Sequence, residues 1–203
     1  MSYLLRVQLP DVPGSLGRLA TAIGTAGGNI DAIEIVTRGD GFAIDDVFLA
    51  ADTAVMPDSI VSACQLLEGV EVLWVSRYAA GTNIFMDLEA VEAMTQSPAT
   101  AADTLVDLVP QVFRADWGIR ARREGDTMTV LHRTSAAPTE LSAEIPWPTD
   151  RVATGAIDEL LLLSAPLGAD EAVVIARRGG PEFIDSELAR LRHLVQLAAS
   201  ISR

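Results

Sequence analysis

The order of apolar segments in residues 1–78 constrains the fold more than any other feature of the chain. Four segments have the composition or the alternation of β-strands, at residues 3–9, 29–37, 42–50 and 70–76. Two stretches with helical spacing lie between them, one after Pro13-Gly14 and one opened by Pro57-Asp58. This β-α-β-β-α-β order predicts a ferredoxin-like sheet, of which two helices cover only one face. We therefore expect a partner copy or the second half of the chain on the other face.

The pair Pro13-Gly14 predicts the turn that joins the first strand to the first helix. Proline fixes φ and glycine accepts a positive φ, so the pair suits a type II turn. Gly27 and Gly28 predict the end of the same helix. A helix that begins at such a turn presents unpaired backbone N–H groups and the positive end of its dipole. Both features favour a bound carboxylate.

The second half of the chain has a different pattern. A linker is predicted at residues 79–85, and a helical stretch covers residues 86–95. A second helix follows Ser97-Pro98, and a hairpin is predicted around the turn at residues 124–126. Residues 134–156 contain three prolines and are predicted to form a long irregular loop. An apolar strand pair at 160–166 and 171–178 then leads to a final helix that Asp185 is expected to cap.

Within the first half, the runs at residues 11–16 and 23–30 closely resemble an ACT domain, the small-molecule regulatory module of many proteins of amino-acid metabolism. The resemblance extends over about residues 3–78. The run at 27–36 especially looks like the ACT segment of bacterial malic enzymes, whose catalytic domains could not fit in the remainder of this chain.

The resemblance implies an effector held between the first loop of one subunit and the start of the second strand of another. Asp11 could accept a hydrogen bond from an ammonium group, and Asn29 could both donate and accept. The implied ligand contacts are Asp11, Val12, Pro13, Gly14, Ser15, Leu16, Asn29 and Ile30.

Structural roles for several of these residues are an open alternative. Asn29 could simply end the helix, and some ACT domains bind no ligand and only mediate assembly. The positions that could serve only as turn or core residues are Pro13, Gly14, Leu16, Gly27, Gly28 and Ile30.

The segments 160–166, 172–176 and 183–188, together with the closing helix, look like the last third of a GAF domain. The resemblance covers about residues 86–202, but residues 134–156 are short where that family builds the lid of its pocket. It implies dimerisation through the first and last helices of this half more than ligand binding. The predicted fold class is thus α+β. A ferredoxin-like βαββαβ ACT domain (1–78) is followed by a smaller GAF-like α/β domain with an antiparallel sheet (86–203).

The charge of the chain excludes several classes of partner. The formal net charge is −13, which opposes binding to nucleic acid and to anionic membranes. All 15 basic residues are arginine, so the chemistry of a lysine Schiff base or a phosphate-loop lysine is excluded. No apolar run reaches the roughly 20 residues of a membrane-spanning helix, and no signal peptide is evident, so we expect a cytoplasmic protein.

The residues that usually form catalytic or metal sites are few and dispersed. His132 and His193 lie on different elements, and the single cysteine, Cys64, falls on the apolar stripe of a helix where a buried, inert thiol is expected. Asp45 and Asp46 are adjacent on a strand and point to opposite faces; one is expected to be exposed and the other to pair with an arginine. We therefore expect no metal, no cofactor and no catalytic residues.

These observations favour a non-enzymatic sensor, a homodimer that binds an amino acid or similar small carboxylate at its ACT interface. The main alternative is a ligand-free interaction module that acts as a detached regulatory subunit of a metabolic enzyme. A small enzyme with an unfamiliar site is a third, weaker hypothesis.

Overall fold

The computed structural model describes residues 1–39, 41–77, 83–125, 127–140 and 144–203. The chain divides into two compact units, Met1–Gly81 and Thr82–Arg203. The second unit is the longer of the two, whereas a smaller second domain was expected. Most of the expected linker at 79–85 lies outside the described residues, and a helix already begins at Asn83.

The first unit contains the six elements that its sequence predicts. They are β1 (Ser2–Pro10), α1 (Ser15–Thr25), β2 (Gly28–Arg38), β3 (Phe42–Ala51), α2 (Pro57–Gln65) and β4 (Glu71–Arg77). The strands form one antiparallel sheet in the order β2-β3-β1-β4. The predicted ferredoxin-like βαββαβ arrangement is therefore confirmed.

Alternation along β1 and β3 builds the core of this unit. Alternate side chains of β1, from Tyr3 to Leu9, pack with Val47 and Leu49 against the buried faces of the two helices. Helix α1 contributes Leu19 and Ile23, each with no exposed surface, and each such burial stabilises the fold by about 1.5–3 kcal/mol.

Cys64 of α2 is fully buried in the same core, as expected. Burial raises the pKa of its thiol to about 11, because desolvation disfavours the thiolate.

The two adjacent aspartates of β3 do point to opposite faces, but neither is exposed. Asp46 pairs with Arg6 on β1, with Nε to Oδ1 at 2.7 Å and Nη2 to Oδ2 at 2.8 Å. Asp45 lies in phase with Val47 on the helix-covered face and is also buried. The expectation that one of the pair is exposed was wrong, because Asp45 lies on the face of the sheet that the helices cover.

The second unit is a sheet with helices on one face. Its elements are α3 (Asn83–Gln96), a 3₁₀ turn (Pro98–Thr100), α4 (Ala101–Val112), β5 (Trp117–Glu124), β6 (Thr127–Arg133), β7 (Ala153–Ile157), β8 (Leu160–Pro166), β9 (Glu171–Arg178) and α5 (Asp185–Ile201). The sheet is antiparallel with the order β6-β5-β9-β8-β7, which confirms the predicted class of this domain.

Both faces of this second sheet are packed. Side chains of α3, α4 and α5 cover one face, where Leu105 and Val195 contact strand residues such as Ile175. On the other face, Trp117 and Val174 belong to a cluster that also includes Ala137, Ile145 and Trp147 from the segment after β6.

Two local expectations for this unit were wrong. The end of the predicted irregular loop forms strand β7, because residues 153–157 pair with β8 along their whole length. Asp185 does not cap α5; the helix starts after Ile184, whose N–H donates to Glu187 Oε2 at 3.1 Å. The predicted turns at residues 38–41 and 124–126 each include a residue outside the described part of the chain, Asp40 and Asp126.

A buried ion pair holds the start of α5. The side chains of Arg177 and Glu187 are 4% and 3% exposed, and Nη2 lies 2.5 Å from Oε1. The same guanidinium donates to the carbonyl oxygens of Phe113 at 2.6 Å and Pro181 at 2.8 Å. Both charges are therefore satisfied by protein groups.

Candidate ligand site at the first turn

The turn between β1 and α1 has the predicted geometry. Gly14 has φ 89° and ψ −9°, the values of the third residue in a type II turn, and Ser15 N–H donates to Val12 O at 3.2 Å. On the other side, Asp11 N–H donates to Gly41 O at 3.1 Å, which ties the loop to the start of β3. The turn is thus fixed at both ends.

Helix α1 begins without a cap. Its N-cap residue, Gly14, has no side chain to accept a hydrogen bond, and the first turn contains no acidic residue. By their position, the N–H groups of Leu16 and Gly17 have no acceptor within the helix. They point out of its N-terminus together with the positive end of the dipole, which is the arrangement that binds carboxylates and phosphates.

A surface groove of about 460 Å³ lies beside this helix start. Arg18 is on its wall, with Nη2 donating to Ser15 Oγ at 3.1 Å. The remaining wall is uncharged, and the complete lining is Gly14, Gly17, Arg18, Thr21, Ala22 and Leu67. The groove therefore offers one cation and backbone donors near a small apolar surface, which suits a small organic anion.

The predicted contact residues of the loop lie together in one unit. Asp11, Val12, Pro13 and Gly14 are exposed, and Leu16 is 37% exposed. Ser15 is buried, so only its hydroxyl contact with Arg18 relates it to the groove.

Asn29 and Ile30 lie far from that loop within the same copy of the chain. Asn29 pairs with Ala50 at the end of β3, whereas Pro10 pairs with Phe42 at its start. Eight residues of extended strand separate Phe42 from Ala50, or roughly 25 Å. Asn29 is exposed, and Ile30 packs partly against the core. Within one copy of the chain, the contact residues predicted in the loop at 11–16 therefore do not meet those predicted in β2, Asn29 and Ile30.

Two residues that line the groove, Gly17 and Arg18, were missed in the sequence. Their signal was their position in the first turn of a helix that follows Gly14.

The two histidines of the second unit lie on different elements, β6 and α5. His132 Nε2 lies 2.8 Å from Asp107 Oδ1, and His193 is exposed on α5. Among the described residues, no group of three or more histidine, cysteine or carboxylate side chains could hold a metal ion. In the part of the chain that the structure describes, no helix has the length and apolarity to cross a membrane.

Residues 3–59, which lie within the βαββαβ unit, match the family model of the ACT domain. The resemblance seen in the first half of the sequence is thereby confirmed.

A relative supports the more specific resemblance. The chain is 36% identical over 77 residues to NAD-dependent malic enzyme 1 of Bacillus subtilis. The similar region is 37% of this chain and 18% of that enzyme, so the chain spans about a fifth of the length of this relative.

Two similar solved structures are GAF domains. One belongs to a sensor histidine kinase of Pseudomonas syringae pv. tomato, with a TM-score of 0.44, 15% identity, and coverage of 57% of this chain and 83% of that chain. The other, from A. aeolicus in an inactive state, has a TM-score of 0.41, 10% identity, and coverage of 58% and 95%.

Proposed function

We propose that this protein is a non-enzymatic sensor that binds an amino acid or a similar small carboxylate at the interface of two ACT domains in a homodimer. The observation that carries the proposal is the uncapped start of α1 beside the 460 Å³ groove. The cytoplasm is the proposed location, and the second unit is proposed to mediate dimerisation through its first and last helices.

The ligand carboxylate would be held by the N–H groups of Leu16 and Gly17 and by the Arg18 guanidinium. Guanidinium and carboxylate form strong, paired hydrogen bonds. Asp11, which is exposed in the loop before α1, would accept a hydrogen bond from the ammonium group. Asn29 and Ile30 of the partner subunit would complete the site, since within one copy they lie at the other end of the sheet.

Regulation would follow from linkage. A ligand that contacts two copies binds the dimeric arrangement more tightly than any other, and it shifts the population towards that arrangement. The second unit would transmit the shift to a metabolic enzyme partner.

Calorimetric titration of the protein with each of the twenty amino acids tests the proposal, and a matched pair of variants locates the site. Gly17 and Gly24 are both on α1, and a side chain added at either meets nothing within 4 Å. Gly17→Glu places a negative side chain into the groove, whereas Gly24→Glu does not. We expect the first variant to weaken binding at least tenfold and the second to bind normally. Absence of heat and of thermal stabilisation with all twenty amino acids would disprove the amino-acid version.

A second candidate is a ligand-free module that acts as the detached regulatory subunit of an enzyme. It is favoured by the relation to malic enzyme 1, in which the matching region is 18% of a longer protein. Affinity purification from the source organism, followed by mass spectrometry, separates the candidates. A stoichiometric metabolic enzyme that remains bound with or without amino acids supports the module.

A further inference from the structure

Strand β4 is an edge of the first sheet, and its outer side is not paired with any strand in the described part of the chain. The sheet has the order β2-β3-β1-β4, so β4 bonds to β1 alone among the strands of this sheet. The outer N–H and C=O groups of an edge strand can pair with a strand of another chain. This edge is therefore a possible interaction surface, and its side chains decide which partner fits.

The middle of this edge is apolar. Leu73 is 41% exposed and Val75 is 39% exposed, and they lie on either side of Trp74 in the same strand. Proline and lysine are residues with which native sheets protect an edge, but β4 contains no proline and the chain contains no lysine. The composition of the strand thus favours an edge that another strand covers.

A bulge in β4 restricts the strands that can cover it. Arg6 of β1 pairs with Trp74, and Val7 pairs with Val72, so Leu73 is an extra residue between them. A bulge bends its strand and increases the local twist, which turns the edge away from a regular, flat strand. A second copy of β4 has the same bend and twist, so it matches this edge where a regular strand does not.

The charged residues of β4 are complementary to those of a second copy. Glu71 is the first residue of the strand and Arg77 is the last; both are exposed, and neither forms an ion pair with a described residue. Trp74 is the midpoint between them. When two copies pair in antiparallel fashion about Trp74, Glu71 of each copy lies opposite Arg77 of the other, and Leu73 lies opposite Val75. Opposite charges and apolar pairs in directly opposed positions stabilise an antiparallel pair.

The other edge of the sheet lacks this complementarity. Strand β2 carries Asp31 and Glu34 in its interior, and its pairing with β3 shifts register at two places. Pairing of two copies about the midpoint of β2, Ile33, would bring the two acidic residues of each copy within about two residues of the two-fold axis, where like charges repel. The charge pattern therefore favours β4 as the edge that associates with itself.

We propose that β4 is an interface at which a second copy of the chain adds its own β4 in antiparallel fashion, so that the two four-stranded sheets continue as one. Trp74 lies on the two-fold axis of this interface. The inference goes beyond the proposed function, because Asn29 and Ile30, the proposed ligand contacts of the partner subunit, lie on β2 at the opposite edge. A chain that forms both two-fold interfaces assembles into a closed tetramer or a longer array.

Reversal of the end charges tests the register. Sedimentation equilibrium of the full chain from about 1 to about 300 µM covers the range in which a small strand interface associates. Glu71→Arg places two arginines opposite each other at both ends of the pairing, and Arg77→Glu does the same with two glutamates. We expect each single variant to associate about tenfold more weakly. The double variant restores both ion pairs with exchanged signs, so it should associate within about twofold of the unaltered chain.

Leu73→Lys tests the apolar part of the interface. A lysine on the edge loses its hydration when a second strand covers it, so association through β4 should be abolished. Leu66→Lys is the matched control, since Leu66 is 87% exposed at the end of α2, outside the sheet, and this variant should associate normally. Thermal melting checks that both variants are folded. Hydrogen exchange of the unaltered chain gives a measurement without substitution, because the amides of residues 71–77 should exchange faster on dilution.

The outcomes separate this interface from the proposed function. If Leu73→Lys and both single reversals leave the association unchanged, the β4 interface is overturned, and a ligand-binding dimer through another surface stands. A double reversal that associates no better than the single ones overturns the register about Trp74, and a chain that is monomeric at every concentration overturns the interface. If the β4 variants behave as expected but no amino acid binds, the proposed function fails and the interface stands.

Discussion

Each unit of the chain buries carboxylates, and the surroundings of Glu187 in the second unit differ from those of Asp45 in the first. In the second unit, Glu187 binds Arg177 and accepts from the N–H of Ile184, while Arg177 also donates to two carbonyl oxygens. In the first unit, Asp45 has an oxygen without any partner. The charges of Glu187 and Arg177 are satisfied within the protein, whereas Asp45 keeps an oxygen without a hydrogen-bond partner.

The difference lies in what each buried charge contributes to the stability of its unit. A fully paired charge fixes the position of the elements around it, as Arg177 does for the start of α5. An unpaired one reduces the stability of its domain. The predictions below test this contrast, from the largest expected effect to the smallest.

The largest effect is expected on breaking the paired site. Glu187→Ala leaves the Arg177 guanidinium buried without its counter-charge, so the second unit should lose about 3–5 kcal/mol of stability. Urea unfolding followed by circular dichroism measures the loss. Glu159→Ala is the control, because the Glu159 side chain is 79% exposed and lies 3.9 Å from Arg178. A loss of similar size in both variants would contradict the structural role of the pair.

Alanine substitutions at two glycines near the start of α1 should change the stability of the first unit in opposite directions. Gly14→Ala places a side chain at φ 89°, which costs about 1–2 kcal/mol. Gly17→Ala replaces a helical glycine whose added carbon meets nothing within 4 Å, and it should stabilise by about 0.5–1 kcal/mol. Differential scanning calorimetry detects both shifts. Equal effects of the two alanines would argue against the turn geometry described here.

Removal of the unpaired charge of Asp45 should stabilise the first unit. Burial raises the pKa of Asp45 above 3.8, so the folded state disfavours the ionised form. The stabilisation that the folded state gains by holding the proton of Asp45 is complete below pH 3.8. It is lost as the pH rises through the raised pKa of Asp45 in the folded state. Asp45→Asn avoids that loss, and we expect a gain of about 1 kcal/mol at neutral pH.

The same variant has a pH profile that distinguishes ionisation from packing. The difference in melting temperature between Asp45→Asn and the unaltered chain should shrink as the pH falls and vanish below about 3.8. A difference that is constant across this range would mean that the charge is not its cause.

The smallest response is expected from Cys64. Its pKa of about 11 and its burial leave almost no thiolate at pH 8, so a disulfide exchange reagent should react with the folded chain only slowly. Reaction in denaturant should be fast and stoichiometric. Rapid labelling of the native protein would show that the core of the first unit opens more readily than its packing indicates.

Much of the fold could be predicted because its signals are periodic. The alternation in β1 and the glycines that bound α1 are visible in the sequence, and the type II turn followed from Pro13-Gly14. Strand β7 was missed because residues 153–157 include alanine and glycine, whose preference for strands is low. Only the pairing with β8 makes that segment a strand.

The site could be predicted less completely. The loop residues could be predicted from the sequence because the turn depends only on residues that are neighbours in the chain. The lack of a partner at Asp45 depends on side chains that are distant in sequence, such as Arg38 and Asp11. Likewise, Glu187 was not expected to cap α5, since that role depends on where Ile184 lies relative to the first turn.

Under the proposed function, the roughly 25 Å between the first loop and Asn29 in one copy sets how the response depends on protein concentration. A ligand that must contact both sets requires two copies, so its apparent affinity rises with the concentration of the protein until all of it is dimeric. By reciprocity, the ligand tightens the association of the copies by the same factor. The rate at which the protein is made would thus set the ligand level at which it responds.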